Sequence, residues 1–270
     1  MNDVSQQKIM LEGLLKPASS RDKISSSDFN KYDSKILYTL KHRPLDKNAN
    51  YKNHGDSKLL EECLIHITKY SKPLVHEKTL FFIHPFYAFL SHAHLFDTNV
   101  DYLNFVKEQP IDIDKEHMRR QKLNDEMNNY KDNLFKLLLT SFPNCNKVLV
   151  ETAHAYSGFT NVLLKDGMVD TAIISKIDSG NPEFKKDFKQ FKEHEAYITG
   201  SYNSGCLDHA IHSLIKKIRS ERHIWVITDA AINKPSPNVD TVAVTNVHCG
   251  YEEVYPDRMI TTDKFIEKYR

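Results

Sequence analysis

Glycine is scarce, at 8 of 270 residues, and no Gly-x-Gly-x-x-Gly or Walker-type phosphate loop can be written from them. Nor is there a Gly-x-Ser-x-Gly elbow, which argues against a serine hydrolase built on that turn. The chain has only four cysteines (Cys63, Cys145, Cys206, Cys249), widely spaced, with no Cys-x-x-Cys pair and no zinc spacing. In a chain this long that pattern implies reduced thiols and a cytosol-like compartment rather than a disulfide framework. An excess of either charge is missing too. Lys plus Arg is 37 and Asp plus Glu 36, so nothing electrostatic points to nucleic acid or an anionic membrane as a partner. Long hydrophobic runs are absent: the most apolar stretch, LFFIHPFYAFL (80–90), is too short to cross a bilayer and contains His84 and Pro85. MNDVSQQKIMLEGLLK lacks the apolar region of a secretory signal, so the expected location is cytoplasmic.

The rest of the composition suits a folded domain. The apolar fraction is 40%, with 14 Phe and 13 Tyr to build a bulky core. Residues 1–78 read as a polar, partly helical extension: SSRDKISSSD and DKNANYKNHGDSK carry little strand character. The best helix there is SKLLEECLIHITKYSK, with Leu60, Leu64 and Ile67 on one face. From 79 to 270, short apolar runs alternate with helical patterns. The runs are TLFFIHPF, KVLVETA (147–153), DTAIISKI (170–177), AYITGS, HIWVITDAA (223–231), DTVAVTNV (240–247) and RMITTDKF (258–265). Between them, residues 114–142 place Leu123, Met127, Tyr130, Leu134 and Leu138 on one helical face. EFKKDFKQFKEH does the same with Phe184, Phe188 and Phe191. Near-continuously apolar strands separated by helices predict a three-layer α/β/α domain with a mainly parallel sheet.

Ligands of open parallel sheets bind beyond the carboxyl ends of the strands. The residues just after each run are His84, then Glu151 and His154, then Lys176 and Asp178, then Cys206, then Asp229. YITGSYNSGCLDHAIHSLI (197–215) puts Cys206 where a helix begins, with Leu207, Ile211, Leu214, Ile215 and Ile218 as its apolar stripe. Helix-terminal N–H groups and a nearby lysine lower a thiol pKa, and the same N–H groups can hold an oxyanion. Cys206 also reads as a small buried residue on a connecting turn, since free cysteines are commonly buried and inert.

GSYNSGCL, IISKIDSGNPEF, IWVITDAA and MITTDKFIEKY together resemble the isochorismatase-like cysteine hydrolases, which include nicotinamidases, over roughly residues 79–265. The resemblance implies a covalent mechanism with Cys206 as nucleophile and Lys176 as electrostatic partner. It also implies a cis peptide at Ser201–Tyr202 and an oxyanion hole made by the N–H groups of Tyr202 and Cys206. The family's first-strand aspartate falls on His84 and its glutamine on Phe86. An imidazole can serve as base to a thiol, so His84 is the candidate base. A His at the end of a buried strand is also an ordinary structural hydrogen-bonder. Phe86, His154 and Asp178 are the candidate substrate contacts. The nicotinamidase metal motif Asp-x-His is Thr152-x-His154 here, so no metal and no cofactor are expected.

Other constellations are weaker. His92-x-His94 with Asp97 could begin a metal site, and His209 and His212 fit a solvated helix face. The charged helix KEHMRRQKLNDEMNNYKDN mixes both signs, as an exposed face does. The leading expectation is a hydrolase of a small amide-like or related substrate. The alternative is a catalytically degenerate fold that binds a protein partner through residues 1–78. A homo-oligomer is compatible with both.

Overall fold

The computed structural model describes residues 4–19, 57–91, 113–176, 181–182, 195–218, 223–233 and 255–270. Helices α1 (Val4–Ser19) and α2 (Ser57–Tyr70) precede strand β1 (Lys78–Ile83), the short α3 (Tyr87–Ser91) and the long α4 (Ile113–Leu139). Strand β2 (Asn146–Glu151) leads into α5, a broken helix running Ala153–Ala155, a wide π turn Tyr156–Thr160, then Asn161–Lys165. Next come β3 (Thr171–Lys176), β4 (Asn181–Pro182) and β5 (Glu195–Ser201). The last elements are α6 (Asp208–Ile218), β6 (Ile224–Ile232), β7 (Met259–Ile260) and α7 (Thr262–Tyr269). The sheet order is β4-β3-β2-β1-β5-β6-β7. All neighbours are parallel except β4, a two-residue return against β3. This is the expected three-layer α/β architecture.

The layers arise from side-chain alternation along the strands. Leu80, Phe82, Leu149 and Tyr197 point into a core shared with α4, α5 and α7. Phe81, Ile83, Val148, Val150, Ala196 and Ile198 point into a second core, under α6. Both faces are covered, which is why the strands are continuously apolar. The α4 stripe behaves as its spacing requires: Leu123, Met127, Tyr130, Leu134 and Leu138 are all buried. Leu207, just before α6, and Ile211 and Leu214 on it are buried in the same way.

Helices α1 and α2 share the main core, to which they contribute Leu11, Cys63 and Ile67. The side-chain amide of Gln7 donates to the Asp166 carbonyl (3.1 Å), and His66 Nδ1 lies 2.7 Å from the Tyr156 hydroxyl. The inward face of α2 corrects the sequence reading. Leu59, Cys63, Ile67 and Tyr70 pack inward, whereas Leu64 is half exposed. Ile67 lies on the inward face as expected, while Leu59 and Cys63, rather than Leu60 and Leu64, complete it.

A second correction concerns 258–265. Only Met259–Ile260 is strand, and the rest is helix α7. Thr261 caps that helix by accepting from the Lys264 N–H, and Phe265 and Tyr269, one turn apart, bury its inner face. At the amino edge of the sheet, the Tyr197 and Tyr269 hydroxyls meet each other and both reach Glu195 Oε2, which ties α7 to β5. Burial alone would raise the Glu195 carboxyl, but the two phenols, Lys268 and Lys78 outweigh it and hold it low. The segments EFKKDFKQFKEH and DTVAVTNV lie outside the described residues.

Lys147, on β2, is buried; its ammonium donates to the Leu138 carbonyl (2.8 Å) at the end of α4 and lies 5.1 Å from the Phe142 ring centre. Burial pushes it down to about 7, against the pull of Asp170. Between that value and the ordinary lysine range the unfolded chain holds the proton and the folded chain does not. Stability therefore rises with pH across this window and is lowest below it. Comparing urea unfolding at pH 7 and pH 9.5, we expect the wild type to gain about 3 kcal/mol relative to Lys147→Met. Equal pH profiles for the two proteins would contradict this.

Candidate active site

From β1 the chain builds outward through β2 and β3 on one side, and through β5, β6 and β7 on the other. The connections leaving β1 and β5 therefore part in opposite directions at the carboxyl edge, and this switch point is the usual ligand position in doubly wound sheets. Two short segments border it, His84–Phe86 after β1 and Tyr202–Leu207 after β5.

His84 turns the chain out of β1 with φ of 42°, in the left-handed region that histidine tolerates better than most residues. Its N–H donates to the Val150 carbonyl (2.9 Å), and its carbonyl accepts from the Tyr87 N–H (3.1 Å) and the Ser201 hydroxyl (2.7 Å). The side chain is buried, with Nε2 3.1 Å from Ser175 Oγ. Strands β1 and β3 both pair with β2 and not with each other. The imidazole thus reaches across the end of β2, toward the side of the sheet away from β5. Next to it, the Pro85 carbonyl accepts from the Tyr130 hydroxyl of α4 (2.6 Å).

At the end of β5, Gly200 has φ of 118°, and the Ser201–Tyr202 peptide is cis, at the bond implied by the family resemblance. The Tyr202 carbonyl then accepts from two N–H groups, those of Gly205 (3.1 Å) and Leu207 (3.0 Å). This closes a wide π turn, Asn203–Leu207, that runs into α6. Cys206 lies inside that turn, one residue short of its end, rather than on the first residue of the regular helix. It is 8% exposed and packs in the second core with Phe81, Ile83, Val150 and Ile198. The N–H groups of Gly205 and Leu207 are committed within the turn. Tyr202 is buried, with its ring edge-on to Tyr87 at 5.7 Å.

Glu151 ends β2 beside this edge and is 1% exposed. Oε2 accepts from the Thr152 N–H (3.3 Å), while Oε1 has no hydrogen-bond partner among the described residues. Burial pushes the carboxyl up to about 8, against the opposing effect of that N–H.

The remaining expected residues divide. Lys176 closes β3, its backbone paired with Asn181, and His154 lies in the first turn of α5; the side chains of both are outside the described residues. Asp178, His92, His94, Asp97 and Cys249 are also outside them. Phe86 is fully buried in the main core. Asp229 is a correction. It does not come after its strand but sits within β6, where its carboxylate accepts from the Thr262 N–H (2.7 Å) and hydroxyl (2.8 Å). It anchors α7. Among the described residues, no group of three or more His, Cys, Asp or Glu gathers as a metal cage. None of the described helices is long and apolar enough to cross a membrane.

Sequence reasoning missed Ser175 and the part played by Tyr130. Ser175 precedes a lysine on a strand, and Tyr130 belongs to an apolar helical stripe; neither position carries a signal of its own. No family model, curated protein or solved structure matches the chain. The strand order and the two covered faces define it as a doubly wound α/β protein.

Proposed function

We propose that the chain is a cysteine-nucleophile hydrolase acting on a small amide-like substrate, with Cys206 forming the covalent intermediate. The observation that carries this reading is the meeting of the two exit turns at the carboxyl edge of the sheet, joined by the hydrogen bond from Ser201 to the His84 carbonyl. In the proposed cycle, the Cys206 thiol gives its proton to a base, for which His84 is the candidate. The thiolate then attacks the substrate carbonyl. The carbon–nitrogen bond breaks, the proton passes to the leaving amine, and water hydrolyses the thioester to release an acid. Lys176 would steady the negative charges, and the N–H groups of Tyr202 and Cys206 would hold the oxyanion, as the family resemblance implies.

One observation favours a second reading. The hydrogen bond of the His84 imidazole to Ser175 directs the ring toward β3, across the end of β2 from the Cys206 turn. A His84 fixed there as a structural hydrogen-bonder fits a binding module that no longer uses the thiol. The partner of such a module would be a protein contacting residues 1–78, where Ile9, Leu64 and Ile65 are at least half exposed.

The test is covalent trapping. Native protein is incubated with short-chain carboxamides and activated esters, and the cysteine peptides are weighed by mass spectrometry. The expected result is an acyl mass on the Cys206 peptide, formed about a hundredfold more slowly in His84→Ala. Absence of an adduct, or an adduct shared with Cys63 and Cys145, would favour the binding reading instead.

A further inference from the structure

Regular alternation along β1 sends Leu80 and Phe82 to the main core, and Phe81 and Ile83 to the second core under α6. Continued for one more residue, it would send His84 back to the main core. The left-handed turn at His84, with φ of 42°, breaks that alternation. The ring instead reaches Ser175 on β3, with Nε2 3.1 Å from Oγ. Along β3, Ala172 and Ile174 face the main core and Ile173 the second, so Ser175 is on the second-core side. Cys206 belongs to that same core, together with Ile83 at the end of β1 and Val150 near the end of β2. Helix α6, which follows the Cys206 turn, packs against β4, whose Pro182 pairs with Ser175. The ring leans toward β3, but its contact with Ser175 and the thiol share one face of the sheet.

Both His84 and Ser175 are buried, so a ring nitrogen that lost this hydroxyl would be left without it in a dry setting. A hydroxyl can donate or accept, whereas a neutral imidazole carries its proton on one nitrogen only. Two tautomers therefore suit the contact, and they differ in chemistry. With the proton on Nδ1, Nε2 accepts from Ser175 and neither nitrogen is left to receive a proton from a thiol. With the proton on Nε2, the ring donates to Oγ and keeps a basic lone pair on Nδ1. We propose that Ser175 is a positioning residue that holds the His84 ring with its proton on Nε2, so that Nδ1 receives the proton of the Cys206 thiol. In that step the S–H bond breaks, an N–H bond forms at Nδ1, and the electron pair stays on sulfur. Ser175 keeps its own proton and accepts from Nε2 before and after the transfer. The inference rests on the reading of His84 as the base. It adds the third group that orients a base in nucleophile–base pairs of this kind.

The experiment is nuclear magnetic resonance of the histidine ring nitrogens in the full chain at about pH 8, with iodoacetamide alkylation of each cysteine measured on the same samples. In the wild type, His84 is expected to carry a ring proton on Nε2 that exchanges slowly with solvent. Ser175→Ala should lose that protected proton and slow the alkylation of Cys206 about tenfold, a part of the hundredfold or more that a positioned base supplies. Ser175→Thr keeps the hydroxyl and should restore both, while the rates at Cys63 and Cys145 stay the same throughout. A wild-type His84 protonated on Nδ1 overturns the proposal. So does a Ser175→Ala protein whose ring proton and Cys206 rate match the wild type. If threonine does not fit the site, the wild-type tautomer and the alanine variant decide. The two readings fail separately. A proton on Nε2 beside a Cys206 as slow as Cys63 and Cys145 leaves the hold of Ser175 on the ring standing and sinks the hydrolase. A fast Cys206 beside a ring protonated on Nδ1 leaves the thiol chemistry standing and sinks the role of Ser175.

Discussion

Gly200→Ala is expected to destabilise the protein by more than about 4 kcal/mol, or to prevent its folding altogether. Gly200 pairs with Ile83 where β1 and β5 reach the carboxyl edge of the sheet. A methyl group added there would lie 2.0 Å from the Ile83 carbonyl oxygen and 2.8 Å and 2.9 Å from its carbonyl carbon and nitrogen. All three are backbone atoms, so no rotamer can relieve the clash. The φ of 118° adds a conformation that an L side chain rarely adopts. The central strands would have to separate at the point where the His84 and Cys206 turns begin. Urea unfolding and the yield of soluble protein measure the effect, and a variant within about 1 kcal/mol of wild type would refute this picture of the β1–β5 contact.

At the other end of the sheet, Asn146→Ala is expected to cost about 3 kcal/mol or more. The Asn146 side chain is 1% exposed and fully used. Its oxygen accepts from the N–H groups of Val75 (3.1 Å) and His76 (3.2 Å). Its nitrogen reaches the carbonyls of His76 (2.8 Å) and Lys78 (3.1 Å) and the Thr79 hydroxyl (3.1 Å). This one amide thus stands in for a neighbouring strand along the approach to β1, and alanine would leave several buried polar groups without partners. The loss should appear in denaturant unfolding, with hydrogen exchange fastest at residues 75–79. The turns at the carboxyl edge should keep their protection. A loss below about 1 kcal/mol would mean that water replaces the amide easily and that this edge is open to solvent.

These two positions also show what is legible in the sequence. Strands β1, β2, β5 and β6 are readable because a sheet covered on both faces demands unbroken apolar runs, and the α4 stripe because 3.6-residue spacing leaves few alternatives. Gly200 opens the GSYNSGCL stretch on which the family resemblance rests, but the crowding that requires glycine involves a strand more than a hundred residues away in sequence. Asn146 carries no signal, since an asparagine before an apolar run looks like part of a loop. The end of the chain misleads because Met-Ile-Thr-Thr is β-rich by composition, while the cap at Thr261 and the burial of Phe265 and Tyr269 make Thr262–Tyr269 a helix. At the candidate site, the positions after each strand are readable from the order of elements alone. The direction of the His84 ring is not, since it depends on Ser175 two strands away. Asp229 fails as a strand-end residue because β6 runs on to Ile232, with a register shift opposite Ile198 and Gly200.

A hydrolase of this kind requires Cys206 to be chemically different from the other thiols. Burial pushes Cys63 up to about 11, reinforced by Glu62, and pushes Cys145 up to about 12, so both serve as internal controls for an inert cysteine. The direct measurement is the rate of iodoacetamide alkylation at each cysteine of the native protein, taken across pH and read by peptide mass spectrometry. A nucleophilic Cys206 should react ahead of Cys63 and Cys145, with an apparent pKa below the unperturbed value of about 8.5. A Cys206 that reacts as slowly as those two, or only once the protein unfolds, would contradict the hydrolase reading.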